Sequence, residues 1–235
     1  MEIDAEINRL AGDIAAVGAL TSEVARRYEG LFSGFQQRLN DVLKHTSSMS
    51  EAAHATMQLV DAASEAMQTS FPNPPKYDCR DGCDACCHLF VAVPPGVVPL
   101  VADYIHANFT KDEQAALHQR LATTADIIAK AENPLWARAR CPLLGEDGRC
   151  TIYSVRPLAC RAFTSRSAAR CHSFVFETPP DAGGSVDQNP AHYRFHLEAS
   201  KALSLAARAR GLPTHQTGFV QTLLEELTSA TPDPA

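Results

Sequence analysis

Apolar residues, with Thr21 in register, recur along the start of the chain at spacings that alternate four and three: Ile3, Ile7, Leu10, Ile14, Val17, Thr21, Val24, Tyr28, Leu31 and Phe35. That is the period of a helix offering one seam to a partner helix. Gly12, Gly18, Gly30 and Gly34 weaken it, each by about 1 kcal/mol relative to alanine, so the seam needs packing to hold it. "SMSEAAHATMQLVDAASEAMQ" follows, with a serine cap at Ser48 or Ser50 and Met57, Val60 and Met67 on one face. The pattern predicts an antiparallel helical hairpin over 2–69, with a parallel coiled-coil dimer as the alternative.

"FPNPP" at 71–75 ends that pattern. A helix restarts near Val97, and another begins at Thr110, whose side chain caps it with Glu113 in capping-box position. "CPLLGEDGRCTIYS" reads as a tight hairpin with its turn at 146–148 and a short strand at 151–153. Pro157 leads a helical turn, "TPPDAGGSVDQNP" is a loop, two closing helices follow, and "TPDPA" is a frayed tail. The fold class is therefore mainly α, a helical protein with a cysteine-rich core containing a short β-hairpin. Three segments are expected: a helical hairpin or coiled-coil segment at 1–70, a cysteine-cluster domain at 71–180, and helices at 181–235 that pack on it.

Composition narrows the function. With 45% apolar residues, 235 positions can bury a real core, and the net charge of −6 argues against nucleic-acid or anionic-membrane binding. The acidic, amphipathic start is unlike a secretory signal, and no run approaches ~18 apolar residues, so a cytoplasmic protein with no membrane span is expected.

All eight cysteines lie between 79 and 171, as Cys79, Cys83, Cys86 and Cys87, then Cys141 and Cys150, then Cys160 and Cys171. Ordinary core cysteines would scatter. In a reducing compartment the set points to metal rather than to disulfides. Thiolates suit zinc in tetrahedral sites or iron in iron–sulfur clusters, and the short spacings of "CRDGCDACC" let one loop aim several sulfurs at a point. Cys86 and Cys87 would point apart in extended chain, so one of them can face a second centre or the interior. The C-x3-C-x2-C start matches radical S-adenosylmethionine enzymes in spacing only. Ala85 stands where that family has an aromatic, and no strand–helix alternation surrounds it.

"CRDGCDACC" with "CPLLGEDGRCTIYSVRPLACRAFTS" resembles the bacterial YkgJ-like, or CxxCxxCC, cysteine-cluster family of zinc- or iron-chelating proteins. The matching elements are the four clustered cysteines, Cys141 with Pro142, Gly148 and Cys150, Ile152 and Tyr153, Arg156 and Pro157, and Cys160 with Arg161. They cover about 77–170. The resemblance implies a metal- or cluster-binding domain, and a related segment occurs in flagellin lysine methylases, where an iron–sulfur cluster is implicated.

Arg138, Arg140, Arg149, Arg156, Arg161, Arg166 and Arg170 crowd this otherwise acidic chain near its thiols, where positive charge favours the ionised sulfur. Arg156 and Arg161 can offset a cluster's negative charge or hold an anionic group. His88 and His172 adjoin cysteines, and His192 and His196 stand four apart on a predicted helix with Arg194 between them; all are secondary ligand candidates. The expected ligands are Cys83, Cys86, Cys87 and Cys160, followed by Cys79, Cys141 and Cys150, with Cys171 contributing little. The expectation is an iron–sulfur protein, [4Fe-4S] in type, with zinc as the alternative. Its role is redox, cluster-mediated or partner-docking. The N-terminal helices are expected to self-associate or to bind a protein partner. A zinc-stabilised interaction module and a cluster-dependent methyltransferase are the competing classes; no nucleophile–base–orienter set and no phosphate loop is evident.

Overall fold

The computed structural model describes residues 2–71, 73–80 and 82–229. Pro72 of the helix-ending proline run, Asp81 of the cysteine loop and the tail predicted at 231–235 lie outside the described residues. Eight α-helices and one two-stranded sheet make up the regular structure there: α1 (Glu2–Leu43), α2 (Met49–Ser70), β1 (Ala92–Val93), α3 (Val97–Asn108), α4 (Lys111–Lys130), α5 (Leu158–Ala162), α6 (Ala168–His172), α7 (Pro190–Ala209), β2 (Thr217–Gly218) and α8 (Phe219–Ser229). The fold class is the mainly helical one expected. No helix among the described residues is long and apolar enough to cross a membrane.

The helix boundaries follow their caps. Ser48, the first of the two candidate serines, accepts the Glu51 amide at 3.1 Å. Thr110 and Glu113 complete the predicted capping box. α3 begins at Val97 because Gly96, at φ +89°, turns the chain where a Cβ would stand 2.2 Å from the Met49 carbonyl oxygen.

The core is built on α7. α1 and α2 both pack chiefly against it, α2 also meets α3, and α8 lies on α3 and α4. The seam of α1 enters this core only at its C-terminal end, where Phe32 and Phe35 set their rings 4.8 and 4.9 Å from Phe195. There Arg194 lies 4.2 Å over the Phe32 ring and pairs with Glu29 at 2.6 and 2.5 Å. Towards its N-terminus α1 runs on with its apolar residues in solvent.

The predicted hairpin survives as a turn with a single antiparallel bridge, Leu144 to Cys150. Residues 151–153 are not a strand. Ile152 and Val155 are both buried, a three-residue spacing that a turn at Tyr153–Val155 satisfies and an alternating strand cannot. The strand pair lies elsewhere: Ala92 faces Gly218 and Val93 faces Thr217, joining the chain after the cysteine loop to the start of α8.

Candidate metal centre

The segment 77–88 has too few apolar residues to fold on its own, and polar clamps hold it. The Asp78 amide donates to the Ser165 carbonyl at 2.9 Å, and its carboxylate accepts the Ala168 amide at 3.1 Å. Tyr77 accepts a hydrogen bond from Asn189 at 2.8 Å. Gly82, at φ +79°, turns the chain between Cys79 and Cys83. Ala85–His88 then forms one tight turn, which places the successive Cys86 and Cys87 on neighbouring corners instead of opposite faces. The next segment docks directly, with the Cys141 amide donating to the Cys87 carbonyl at 2.8 Å. Gly148, at φ +75°, brings the second cysteine turn against Gly82.

The result is an open cleft of about 490 Å³ walled by Cys79, Cys83, Cys86, Cys87, Cys150 and Cys171, with Arg80, Arg149 and Arg156 at its sides. Behind it lies an apolar pocket of about 50 Å³ that shares Cys86, Cys87, Cys150 and Arg156 and adds Cys141 and Cys160. Every cysteine is a free thiol and borders one of these two spaces. Among the described residues no three thiol, imidazole or carboxylate groups converge tightly enough to hold a single metal ion. The sulfurs surround a space instead.

Cys171 is the residue that sequence reasoning undervalued. It stands 84 positions past Cys87, so no spacing rule reaches it, yet it lies buried on the cleft wall near Cys79 and Cys83. Its neighbour on α6, the cap Ser167 accepting the Arg170 amide at 3.2 Å, is the local signal for the turn that places it.

Burial dominates the thiols' electrostatics. It raises Cys79 above its ordinary value, while the Ser165 amide, 3.3 Å from its sulfur, pulls the other way. Burial also raises Cys83 and Cys150, and lifts Cys141 to about 12 and Cys160 to about 11. Cys86 is pushed up by the adjoining Cys87 sulfur and then by burial. Against this, the amides of Ala85, Leu143 and Ile152 act on Cys83, Cys141 and Cys150, each two residues earlier, and favour the ionised sulfur. Largely half-buried thiols whose protons burial holds on, with backbone amides aimed at several of the sulfurs, make a donor set suited to a soft metal centre, whose charge favours the ionised sulfur.

The arginine surplus is smaller at the sulfurs than the sequence implies. Arg138 donates to the carbonyls of Leu135 and Ala137, and Arg140 to those of Leu144 and Gly145. Arg80 and Arg149 flank the cleft, and Arg156 borders both thiol-lined spaces. Burial alone would lower its pKa, but Cys160, Cys86, Cys87 and Cys150 hold it above the ordinary value, and its guanidinium donates to the Cys160 carbonyl. Arg161 turns away from the cleft. It pairs with Asp61 of α2 at 3.0 and 2.9 Å and donates to the carbonyls of Arg156 at 2.7 Å and Ser154 at 2.8 Å, while its charge still acts on Cys150.

The candidate histidines divide as well. His88 bonds the Asp84 carbonyl at 3.2 Å, and His172 pairs with Glu177 at 3.4 Å. His192 bonds the Arg161 carbonyl and His196 the His192 carbonyl, both at 3.0 Å, on the far side of Arg156 from the thiols.

No curated protein and no solved structure matches the chain. A family model does match, over residues 78–179, under half of the chain; it bears the description "CxxCxxCC: Putative zinc- or iron-chelating domain". Those residues bring together every cysteine, both cleft walls and Arg156, and it is this stretch that is similar to the zinc- or iron-chelating domain of the CxxCxxCC family.

Proposed function

We propose that the thiol cleft holds an iron–sulfur cluster, [4Fe-4S] in type, and that the protein works as a redox or cluster-bearing module. The observation that carries this reading is the separation of the sulfurs. A zinc ion with Zn–S bonds of about 2.3 Å draws four thiolates into mutual contact. Here the thiols stand around an open cleft, an arrangement that suits a centre with its own iron and sulfide volume. Cys79, Cys83, Cys86 and Cys87 supply the first wall, Cys150 and Cys171 the second, and Cys141 and Cys160 back them from the apolar side. Arg156 offsets the negative charge of a thiolate-bound cluster. When bound, the cluster supplies one-electron chemistry. The chain's part is to orient sulfurs by amide hydrogen bonds, set the local charge and keep one side open to a partner.

The test is anaerobic purification, then a visible spectrum and assays of iron, zinc and acid-labile sulfide on one sample. Iron and sulfide in comparable amounts, with a brown chromophore, are expected. A colourless protein with stoichiometric zinc and no sulfide overturns the cluster and makes the domain a zinc-stabilised interaction module.

A further inference from the structure

α1 projects an apolar stripe that its own core does not cover. Ile7, Leu10, Ile14, Val17, Leu20 and Val24 are 58–65% exposed. The helix carrying them is intrinsically weak, since Gly12 and Gly18 interrupt it, nothing lies within 4 Å of the Cβ either would carry, and β-branched residues fill much of the stripe. Such a helix gains most of its stability from a partner.

We propose that this stripe is the interface of an antiparallel coiled-coil dimer, with a second copy of the chain lying along residues 3–28 of α1. The alternation of three and four places Ile7, Ile14, Thr21 and Tyr28 on one edge of the seam and Ile3, Leu10, Val17 and Val24 on the other, the pattern of knobs-into-holes packing. Run antiparallel, the seam is self-complementary. Ile14 meets Val17 of the second copy, Leu10 meets Thr21, Ile7 meets Val24 and Ile3 meets Tyr28, and each layer occurs twice by symmetry. The buried area is on the order of 800 Å² per partner, that of a standard stable interface. The seam closes off from Tyr28, which is half-buried with its ring edge-on to Phe32 at 5.0 Å and offers Ile3 only its open side, because Phe32 and Phe35 already pack on Phe195.

Charge selects the direction. Asp4, Glu6 and Asp13 outnumber Arg9, which pairs with Glu6, at one end of the stripe, and Arg26 and Arg27 outnumber Glu23, which pairs with both, at the other. The antiparallel register sets Glu6 opposite Arg27 of the second copy, twice over. Arg26 already holds Glu23 at 2.6 and 3.0 Å, which leaves that carboxylate partnered when Arg27 reaches across. A parallel pair would bring the acidic ends together and set Glu6 against Ala11 and Asp13 against Gly18, with no opposite charge at either position.

The test is the mass of the full chain in solution by light scattering after gel filtration, at about 10–100 µM. Wild type is expected as a dimer and Ile14→Glu as a monomer, with the far-ultraviolet spectrum and metal content of the body unchanged. Glu6→Arg and Arg27→Glu should each weaken the dimer about 3-fold or more, and their combination should restore it. A monomeric wild type overturns the proposal, whether or not its α1 binds phosphatidylcholine vesicles, as does an Ile14→Glu variant that remains dimeric. A double charge reversal weaker than either single change overturns the antiparallel order.

Discussion

The backbone N–H of Ser165 donates a 3.3 Å hydrogen bond to the sulfur of Cys79, across 86 positions of chain. The bond fixes the first cysteine of the cluster to the far side of the domain, just ahead of the α6 turn that carries Cys171. Both therefore belong to one cage. Cys79→Ala and Cys86→Ala should each lose most of the bound metal, measured as iron and sulfide per chain. Cys171→Ala should also lose a substantial share, on the ground that it walls the same cleft. Wild-type metal content in Cys86→Ala would sink the site assignment.

Arg156 borders both the cleft and the pocket behind it, so with the proposed cluster bound its removal should act on the cluster's potential. Positive charge favours the reduced, more negative state. Arg156→Met is expected to lower the reduction potential on the order of 50–100 mV, and Arg156→Lys to keep most of the wild-type value. A spectroelectrochemical titration of the three proteins distinguishes these outcomes; equal potentials would remove Arg156 from the electrostatic role.

Arg161 should behave as a brace. Its guanidinium ties α2 to the turn before α5 through Asp61 and three carbonyls. Arg161→Leu is expected to cost about 1–2 kcal/mol of stability, read as a lower denaturant midpoint, because the half-buried Arg156 carbonyl and several more exposed acceptors lose their donor together. Metal per folded chain should stay near wild type, which a role as cluster ligand or anion clamp would not allow.

Much of this architecture was legible in the sequence. Caps at Ser48 and Thr110, the restart at Val97 and the thiol-rich segment all follow from local chemistry that needs no partner. What the sequence hid depends on distance along the chain. Cys171 joins Cys79 only through the Asp78 and Ser165 clamps, and β1 with β2 is too short to carry a period. Seven arginines near thiols read as a charge field. Only the structure separates Arg156, which faces sulfur, from Arg138, Arg140 and Arg161, which hold carbonyls. The α1 seam read correctly as a helix, but its local pattern could not tell a residue covered by α7 from one left in solvent.

His196 gives the fold a defined acid sensitivity. Burial lowers its pKa to about 4, with Arg161 and Arg156 adding to the shift, the carbonyl of His192 opposing it and the His192 ring 4.6 Å away. The unfolded chain takes up this proton near pH 6.5, the folded chain only near 4. The stabilisation is therefore complete above pH 6.5 and lost as pH falls towards 4, on the order of 3 kcal/mol in all. Denaturant titrations at pH 7 and pH 4.5 should show a smaller loss in His196→Gln than in wild type; equal losses would refute the assignment.

Gly96 tests the joint between the cysteine domain and the helices before it. A side chain there would meet the backbone of Met49 at the start of α2, at a φ that L residues avoid. Gly96→Ala should destabilise by about 3 kcal/mol or more, from strain and overpacking together. Thermal melts that coincide with wild type would show that the turn can relax.

The short pairing of β1 with β2 has a consequence for how such a module can be moved between proteins. It brings Phe219 and Val220 of α8 to the floor of the apolar pocket behind the thiols, with the Phe219 amide donating to the Val91 carbonyl at 2.9 Å. α8 lies some forty positions beyond the stretch that carries the chelating motif. Transplanted alone, that stretch would arrive with every sulfur donor and an unsealed, greasy underside, so a graft into another scaffold must bring a surrogate helix to plug it.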